Sequence, residues 1–298
     1  AEYPPPQYLA EPLLPDPSLS LVYGPSGIAK TYFCLGLALS IASGAKFLGW
    51  PIERRHGVLY VDGEMGNAPL QSRIRRLLAG HELDPENFFS ITRDDQANGI
   101  IPNLEDTAAQ QSLLDTLPDA CGLVVLDNLS TLTAMLEAND PASWATMQDL
   151  LLQFRRRGIS VMVVHHANAG GLNQLGTSRR LHVMDTVLSL RPHERTEGPV
   201  PGYHDVEVHV VKGRNLPPEV RSPLIATLGG AAGSDLVWTH QSMGSGASER
   251  IRSLLKLGMP IKDVIDEVGC NRSLAYRIKA EMKHDAGSAK TYRDREDY

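Results

Sequence analysis

The run Gly24-Pro25-Ser26-Gly27-Ile28-Ala29-Lys30-Thr31 has the spacing of a phosphate-binding loop: two glycines, then a lysine and a hydroxyl side by side. Glycines at 24 and 27 let the backbone turn so that its N–H groups face phosphate oxygens. Lys30 then reaches the β- and γ-phosphates of a nucleotide such as ATP, and the Thr31 hydroxyl is placed to bind magnesium. Ala29 departs from the usual pattern, which has glycine there; alanine is tolerated if φ stays negative. The competing reading is a strand–helix turn with a chance Lys-Thr pair. The flanks argue against it, because the apolar run 19–23 (LSLVY) reads as a buried strand and 32–43 as a helix.

Three further places could supply the rest of the chemistry. Asp127 ends the apolar run LVVLD, where an acid emerges at the carboxyl edge of a sheet and can hold magnesium. Glu64 ends the earlier run in YVDGEM and could polarise an attacking water; Asp62 competes for that role, and strand alternation alone does not decide between them. His165 and His166 end a fourth strand, and His166 is the one favoured to touch a γ-phosphate or its water.

These residues need a scaffold, and the chain has one in its pattern. Strands are expected at 19–23, 57–63, 122–128 and 159–166, with helices at 32–43, about 67–79, and from Asp140-Pro141 to about Arg157. Near-continuous apolar strands alternating with helices indicate a parallel sheet covered on both faces. Late strands at 183–190, 205–212 and 222–228, with no helix between them, imply an antiparallel extension at one edge. The expected class is α/β: a mainly parallel sheet with antiparallel edge strands, plus a small C-terminal helical domain. The organisation reads as a proline-rich segment over 1–18 running extended on the surface, a main domain over 19–240, a linker over 241–247, a helical domain over 248–283 and a polar tail over 284–298.

Composition limits the alternatives. With 298 residues, 42% hydrophobic and 21% charged, the chain can bury a sizeable core. No apolar run approaches the roughly 20 residues of a membrane span. The opening AEYPPPQYLAEPLLPDP lacks the basic start and apolar stretch of a secretory leader, and three scattered cysteines form no metal or disulfide framework. A cytoplasmic location is therefore expected. The net charge of −6 is uneven: residues 248–298 hold 11 Lys and Arg against 9 Asp and Glu. An acidic main body can still hold a local basic channel, so a nucleic-acid partner stays open.

With these residues assembled, the chain resembles the RecA-like ATPases. It is most similar to RepA-type hexameric replicative helicases and the ATPase domains of mobile-element primase-helicases. The resemblance covers about residues 10–240 and rests on EPLLPDPSLSLVYGPSGIAKT, VLYVDGEM, LVVLDNLSTL, VMVVHHANAGG and LGTSRRLHVMDTVLSLR in that order. It implies a RecA-like core, assembly into a ring (a homo-hexamer) and ATP-driven movement on single-stranded DNA. By position it makes Glu64 the catalytic glutamate, Asp127 the magnesium acid and His166 the sensor. Lys212 and Arg214, in VVKGRN, match a Lys-x-Arg pair that completes a neighbour's ATP site, against the plainer reading of a charged hairpin edge. The glycine-rich stretch 167–180 matches the loop that faces the DNA channel, with Arg179 and Arg180 as phosphate contacts, or Arg179 as a second arginine supplied in trans, against a solvated surface loop.

Residues 248–283 resemble a helix-turn-helix. Its third helix carries Arg272, Ser273, Tyr276, Arg277 and Lys279, a distribution suited to contacts with duplex DNA. A small helical bundle for protein contacts is the alternative. Three function classes follow: an ATP-dependent DNA helicase or translocase, a DNA-binding regulator or loader switched by ATP, and a small-molecule kinase. No acceptor site or lid supports the last.

Overall fold

The structure is a computed structural model and describes residues 5–101, 103–133, 141–166, 182–193, 200–214, 216, 218–230, 235–243, 251–252, 254–268, 270, 272–280 and 282. The chain separates into two compact units, Ala1–His240 and Gln241–Tyr298.

The first unit is built on a nine-stranded sheet. Its strands are β3 (Leu19–Gly24), β4 (Gly57–Asp62), β5 (Phe88–Ile91), β6 (Cys121–Asp127), β7 (Ser160–His166), β8 (Thr186–Pro192), β9 (Tyr203–Gly213), β10 (Leu224–Gly229) and β11 (Val237–Ser242), in the order β11-β10-β9-β8-β3-β7-β6-β4-β5. Every pairing from β5 across to β8 is parallel, and β9 and β10 continue antiparallel. The expected parallel core with an antiparallel extension is what the molecule has. Crossovers are supplied by α1 (Lys30–Ser43), α2 (Asn67–His81), α3 (Thr107–Asp115), the single turn α4 (Leu129–Leu132) and α5 (Pro141–Arg156).

Alternation along the strands divides the core in two. Val22, Val58, Tyr60, Leu123, Val125, Met162 and Val164 face α1 and α2. Leu21, Leu59, Val61, Val124, Leu126, Val161 and Val163 face the layer that contains Trp144, Met147, Leu151 and Phe154 of α5. Apolar residues on both faces are why these strands read as unbroken hydrophobic runs. α1 is buried almost all round, with Phe33 set edge-on against Phe47, Trp50 and Trp238.

The N-terminal segment differs from expectation. Rather than running extended over the surface, it forms a two-stranded antiparallel sheet, β1 (Gln7–Ala10) with β2 (Leu14–Asp16). Leu9, Ala10, Leu13 and Leu14 are buried in the α1-side core. Each fully buried leucine contributes about 1.5–3 kcal/mol, which outweighs the proline-rich composition around it. Four of the named elements, β5, α3, α4 and β11, had no counterpart in the sequence reading.

In the second unit, residues 251–252 and 254–256 are helical, α6 spans Ile261–Val268, and residues 272–280 are helical again. Ile251, Val264, Ala275 and Ile278 are buried, and Ile251, Val264 and Ile278 form its core.

Candidate active site

β3 delivers its last residue, Gly24, to the carboxyl edge of the sheet, between His166 at the end of β7 and the neighbouring β8. A Cβ at Gly24 would stand 2.5 Å from the Leu190 carbonyl oxygen, so this position excludes any side chain. The loop then turns through Gly27, at φ 78, into α1. Ala29 also takes a left-handed conformation, φ 63 and ψ 25, so the expectation of a negative φ is corrected. The turn imposes a glycine-like conformation on an alanine, a cost of roughly 1–2 kcal/mol stored in the loop.

Lys30 is the first residue of α1 and is buried. Its ammonium donates to the Gly24 carbonyl at 3.0 Å and the Pro25 carbonyl at 2.7 Å, and lies 3.2 Å from Nδ1 of His166. Burial lowers its pKa, opposed by attraction to Asp127, Cys34 and Glu64. An ammonium only donates, so Nδ1 of His166 accepts; the ring proton then sits on Nε2, which lies 3.6 Å from Glu64 Oε1 and 3.2 Å from the Asn128 amide nitrogen, a contact that is no hydrogen bond in this tautomer.

The two acids of the β4 end separate cleanly. Asp62 is buried, and its Oδ1 accepts from the backbone N–H of Glu64 at 2.8 Å and of Met65 at 2.7 Å. It shapes the turn that presents Glu64. Burial raises its pKa to about 6 against the effect of those two bonds. Glu64 stands in the open cleft, its side chain 53% exposed, and Oε1 accepts from Asn128 Nδ2 at 2.7 Å. Its other oxygen has no hydrogen-bond partner among the described residues.

Asp127 is reached by the register of β4 and β6, in which Asp62 pairs with Asp127 and Tyr60 with Val125. Tyr60 and Asp127 therefore share the α1 face, and the fully buried Tyr60 hydroxyl donates to Asp127 Oδ2 at 2.5 Å. Burial raises the Asp127 pKa, while hydrogen bonds from Tyr60 and Thr31 pull it down. The Asp127–Asn128 peptide is cis.

Ser26, Gly27, Ala29, Lys30, Thr31, Glu64, Asp127, Asn128 and His166 line one cleft of about 250 Å³, together with Tyr32, Arg73 and His204. The expected residues of the phosphate loop, β4, β6 and β7 thus meet. Sequence reasoning missed Asn128, which donates to Glu64 and lies beside His166, and Tyr60, which holds Asp127. The signal for Tyr60 was present in the parity of a strand ending in an acid.

Lys212 and Arg214 do not line this cleft. They lie at the end of β9 that pairs with Thr186 and Val187, at the start of β8, the opposite end of the sheet from the phosphate loop. Arg214 donates to the His182 carbonyl at 2.9 Å and pairs with Asp185 at 3.4 Å, and Lys212 donates to the same carbonyl at 3.3 Å. Arg179 and Arg180, with the whole stretch 167–180, lie outside the described residues, as do 134–140 of the loop after Asp127. In the second unit Arg272, Ser273, Tyr276 and Arg277 are exposed and Lys279 is half-buried, opposite Ala275 and Ile278 on the same helix. No group of three metal-binding side chains occurs among the described residues, and none of their helices is long and apolar enough to cross a membrane.

Residues 1–171 match the AAA domain family, more than half of the chain, with β3, β4, β6 and β7 among them. The chain belongs to the AAA domain family. Among solved structures it is similar to a KaiC-like protein from the hyperthermophilic archaeon Pyrococcus horikoshii OT3, with a TM-score of 0.50 and 17% identity, covering 77% of this chain and 93% of that one. That likeness bears on the fold, a RecA-like core. No curated protein matches the chain. Family and fold together make it a P-loop ATPase of RecA-like architecture.

Proposed function

We propose that the chain hydrolyses ATP with magnesium in the cleft around Lys30 and couples the reaction to movement on DNA, as a ring-forming helicase or translocase of a plasmid, phage or other mobile element. The observation that carries the hydrolytic part is the convergence of Lys30, Thr31, Glu64, Asp127 and His166 in one cleft.

The donor set fits magnesium. Thr31 and Asp127 offer adjacent hard oxygens, and Asp127 is a buried acid whose charge burial disfavours until a cation joins it. Magnesium supplies neutralisation of β- and γ-phosphate oxygens when bound. The chain does the rest. Lys30 exchanges its bonds to the Gly24 and Pro25 carbonyls for phosphate oxygens. Glu64, oriented by Asn128 through Oε1, takes the proton of the attacking water on its other oxygen. His166 touches both Lys30 and Glu64, so it links the phosphate-bound state of the lysine to the position of the base.

The ring part rests on Lys212 and Arg214. Their place at the far end of the sheet keeps them out of their own subunit's cleft, and Arg214, 52% exposed, is open to a neighbour. An arginine supplied in trans makes hydrolysis depend on assembly. Mixing Arg214→Ala with Lys30→Ala subunits tests this. Mixed oligomers, verified by native mass spectrometry, regain turnover that neither variant has alone. Mixed oligomers inactive at every ratio would contradict the shared site.

A second reading, an ATP-switched DNA-binding regulator or loader, draws on the separate unit Gln241–Tyr298 with Arg272, Ser273, Tyr276 and Arg277 on one exposed face. Strand displacement on a forked duplex selects the helicase. ATP-dependent assembly on a duplex without displacement selects the switch.

A further inference from the structure

At the end of the sheet remote from the cleft, one buried carboxylate joins three elements. Asp185 immediately precedes β8 and is 5% exposed. Its backbone N–H donates to the Leu19 carbonyl at 2.7 Å, and its carbonyl accepts from the Arg214 N–H at 3.0 Å. Its carboxylate divides in the same way. Oδ2 accepts from the Leu19 N–H at 3.0 Å and pairs with Arg155 of α5 at 3.4 Å, while Oδ1 pairs with Arg214 at 3.4 Å. Asp185 is thus pinned to the start of β3 and reaches across to the end of β9, where Lys212 and Arg214 lie.

These contacts hold Arg214 without using it up. Arg155, Lys212 and Arg214 set three positive charges around the single negative charge of Asp185, so the group stays cationic and attracts an anion. Asp185 and the His182 carbonyl engage the two terminal nitrogens of the Arg214 guanidinium. A guanidinium carries five N–H donors, so donors remain for a phosphate. A long side chain that stays free until a neighbour engages it gives up its rotamer freedom at that moment, at a cost to the contact. Arg214 has given it up already within the single subunit.

We propose that Asp185 is the positioning residue of the site shared between subunits. It sets the Arg214 guanidinium for a neighbour's triphosphate. Arg155, on the other carboxylate oxygen, fixes the carboxylate in the orientation that serves Arg214. This rests on the reading of Arg214 as an arginine supplied in trans, and it names what holds that arginine ready before assembly.

The test measures ATP turnover by the full chain with magnesium, and its affinity for a fluorescent non-hydrolysable ATP analogue. Asp185→Asn keeps an oxygen for the Leu19 N–H and removes the charge that holds Arg214. Its kcat falls by roughly 10–100-fold, the loss expected of a misplaced catalytic group. Its KM and its affinity for the analogue stay within about threefold of wild type, because its own cleft is intact. Mixing then separates positioning from a general structural defect. Asp185→Asn with Lys30→Ala regains turnover, since one subunit offers a sound cleft and the other a held arginine. Asp185→Asn with Arg214→Ala does not, since neither offers that arginine. Native mass spectrometry verifies the mixed oligomers, and Lys30→Ala with Arg214→Ala is the control mixture. Wild-type or raised kcat in Asp185→Asn, while the control mixture regains turnover, overturns the role of Asp185 and leaves the shared site standing. Loss of analogue affinity alongside kcat, or the same result from both Asp185→Asn mixtures, also overturns positioning. A control mixture that forms and stays inactive overturns the shared site and the positioning role together. Melting curves establish that each variant folds. If Asp185→Asn does not, Asp185→Glu, which keeps the charge and shifts the carboxylate by one methylene, decides in the same mixtures.

Discussion

Replacing Tyr60 with phenylalanine removes one oxygen atom from a fully buried position 2.5 Å from Asp127 Oδ2. The ring stays, so packing against Phe88 and the α1-side core is retained. What is lost is a hydrogen bond to an ionised acceptor, worth about 1.5–3 kcal/mol, from a carboxylate that water reaches poorly. Tyr60→Phe should therefore weaken the apparent magnesium affinity of turnover by roughly 10–100-fold, with a smaller effect on nucleotide binding measured without the metal. The pH dependence has a definite sign. Burial already raises the Asp127 pKa, and donation from Tyr60 opposes that rise. Without the hydroxyl the pKa rises further, so the acid limb of the rate profile moves to higher pH, and the lost rate returns as pH increases. ATP turnover measured against magnesium at several pH values reads both effects. An unchanged magnesium dependence and an unmoved acid limb would refute the argument that Tyr60 orients the metal-binding acid.

Two further outcomes follow from the same cleft. Asp62→Asn keeps an oxygen that accepts from the Glu64 and Met65 N–H groups, and it should leave ATP turnover in place. Because burial lifts the Asp62 pKa from an ordinary 3.8 to about 6, wild-type stability should fall by about 3 kcal/mol as pH rises through that window, and Asp62→Asn should lack this loss in denaturant titrations. Ala29→Gly relieves the left-handed alanine and should raise stability by roughly 0.5–1 kcal/mol after the extra unfolded-state entropy of glycine is deducted; a variant less stable than wild type contradicts the strain at that position.

Much of the central sheet could be read directly because β3, β4, β6 and β7 are buried on both faces, and such strands announce themselves as apolar runs. The elements that escaped are those with weak periodic signals. β5 is four residues at the sheet edge with Phe89 partly exposed, and α3 mixes glutamines with two buried leucines. The β1–β2 hairpin hid behind its prolines, although Leu9, Leu13 and Leu14 carry its burial. At the site, the motif residues were recognisable because their roles depend on strand ends. Asn128 was not, because a polar residue after a strand resembles an ordinary solvated position. Only the packing of β6 beside the phosphate loop sets it apart. Strand alternation left Asp62 and Glu64 open and the resemblance chose Glu64; the turn geometry adds the physical reason, since Asp62 folds back onto the backbone that presents Glu64.

The central role in the cleft around Lys30 belongs to Glu64, as the base of ATP hydrolysis. The direct measurement is steady-state ATP hydrolysis by the full chain and by Glu64→Gln, with and without single-stranded DNA, alongside ATP affinity for both. The amide preserves shape but not basicity, so Glu64→Gln should bind ATP within about threefold of wild type while turnover falls by roughly 100-fold or more. Wild-type turnover in Glu64→Gln, or its loss in Asp62→Asn instead, would contradict the assignment.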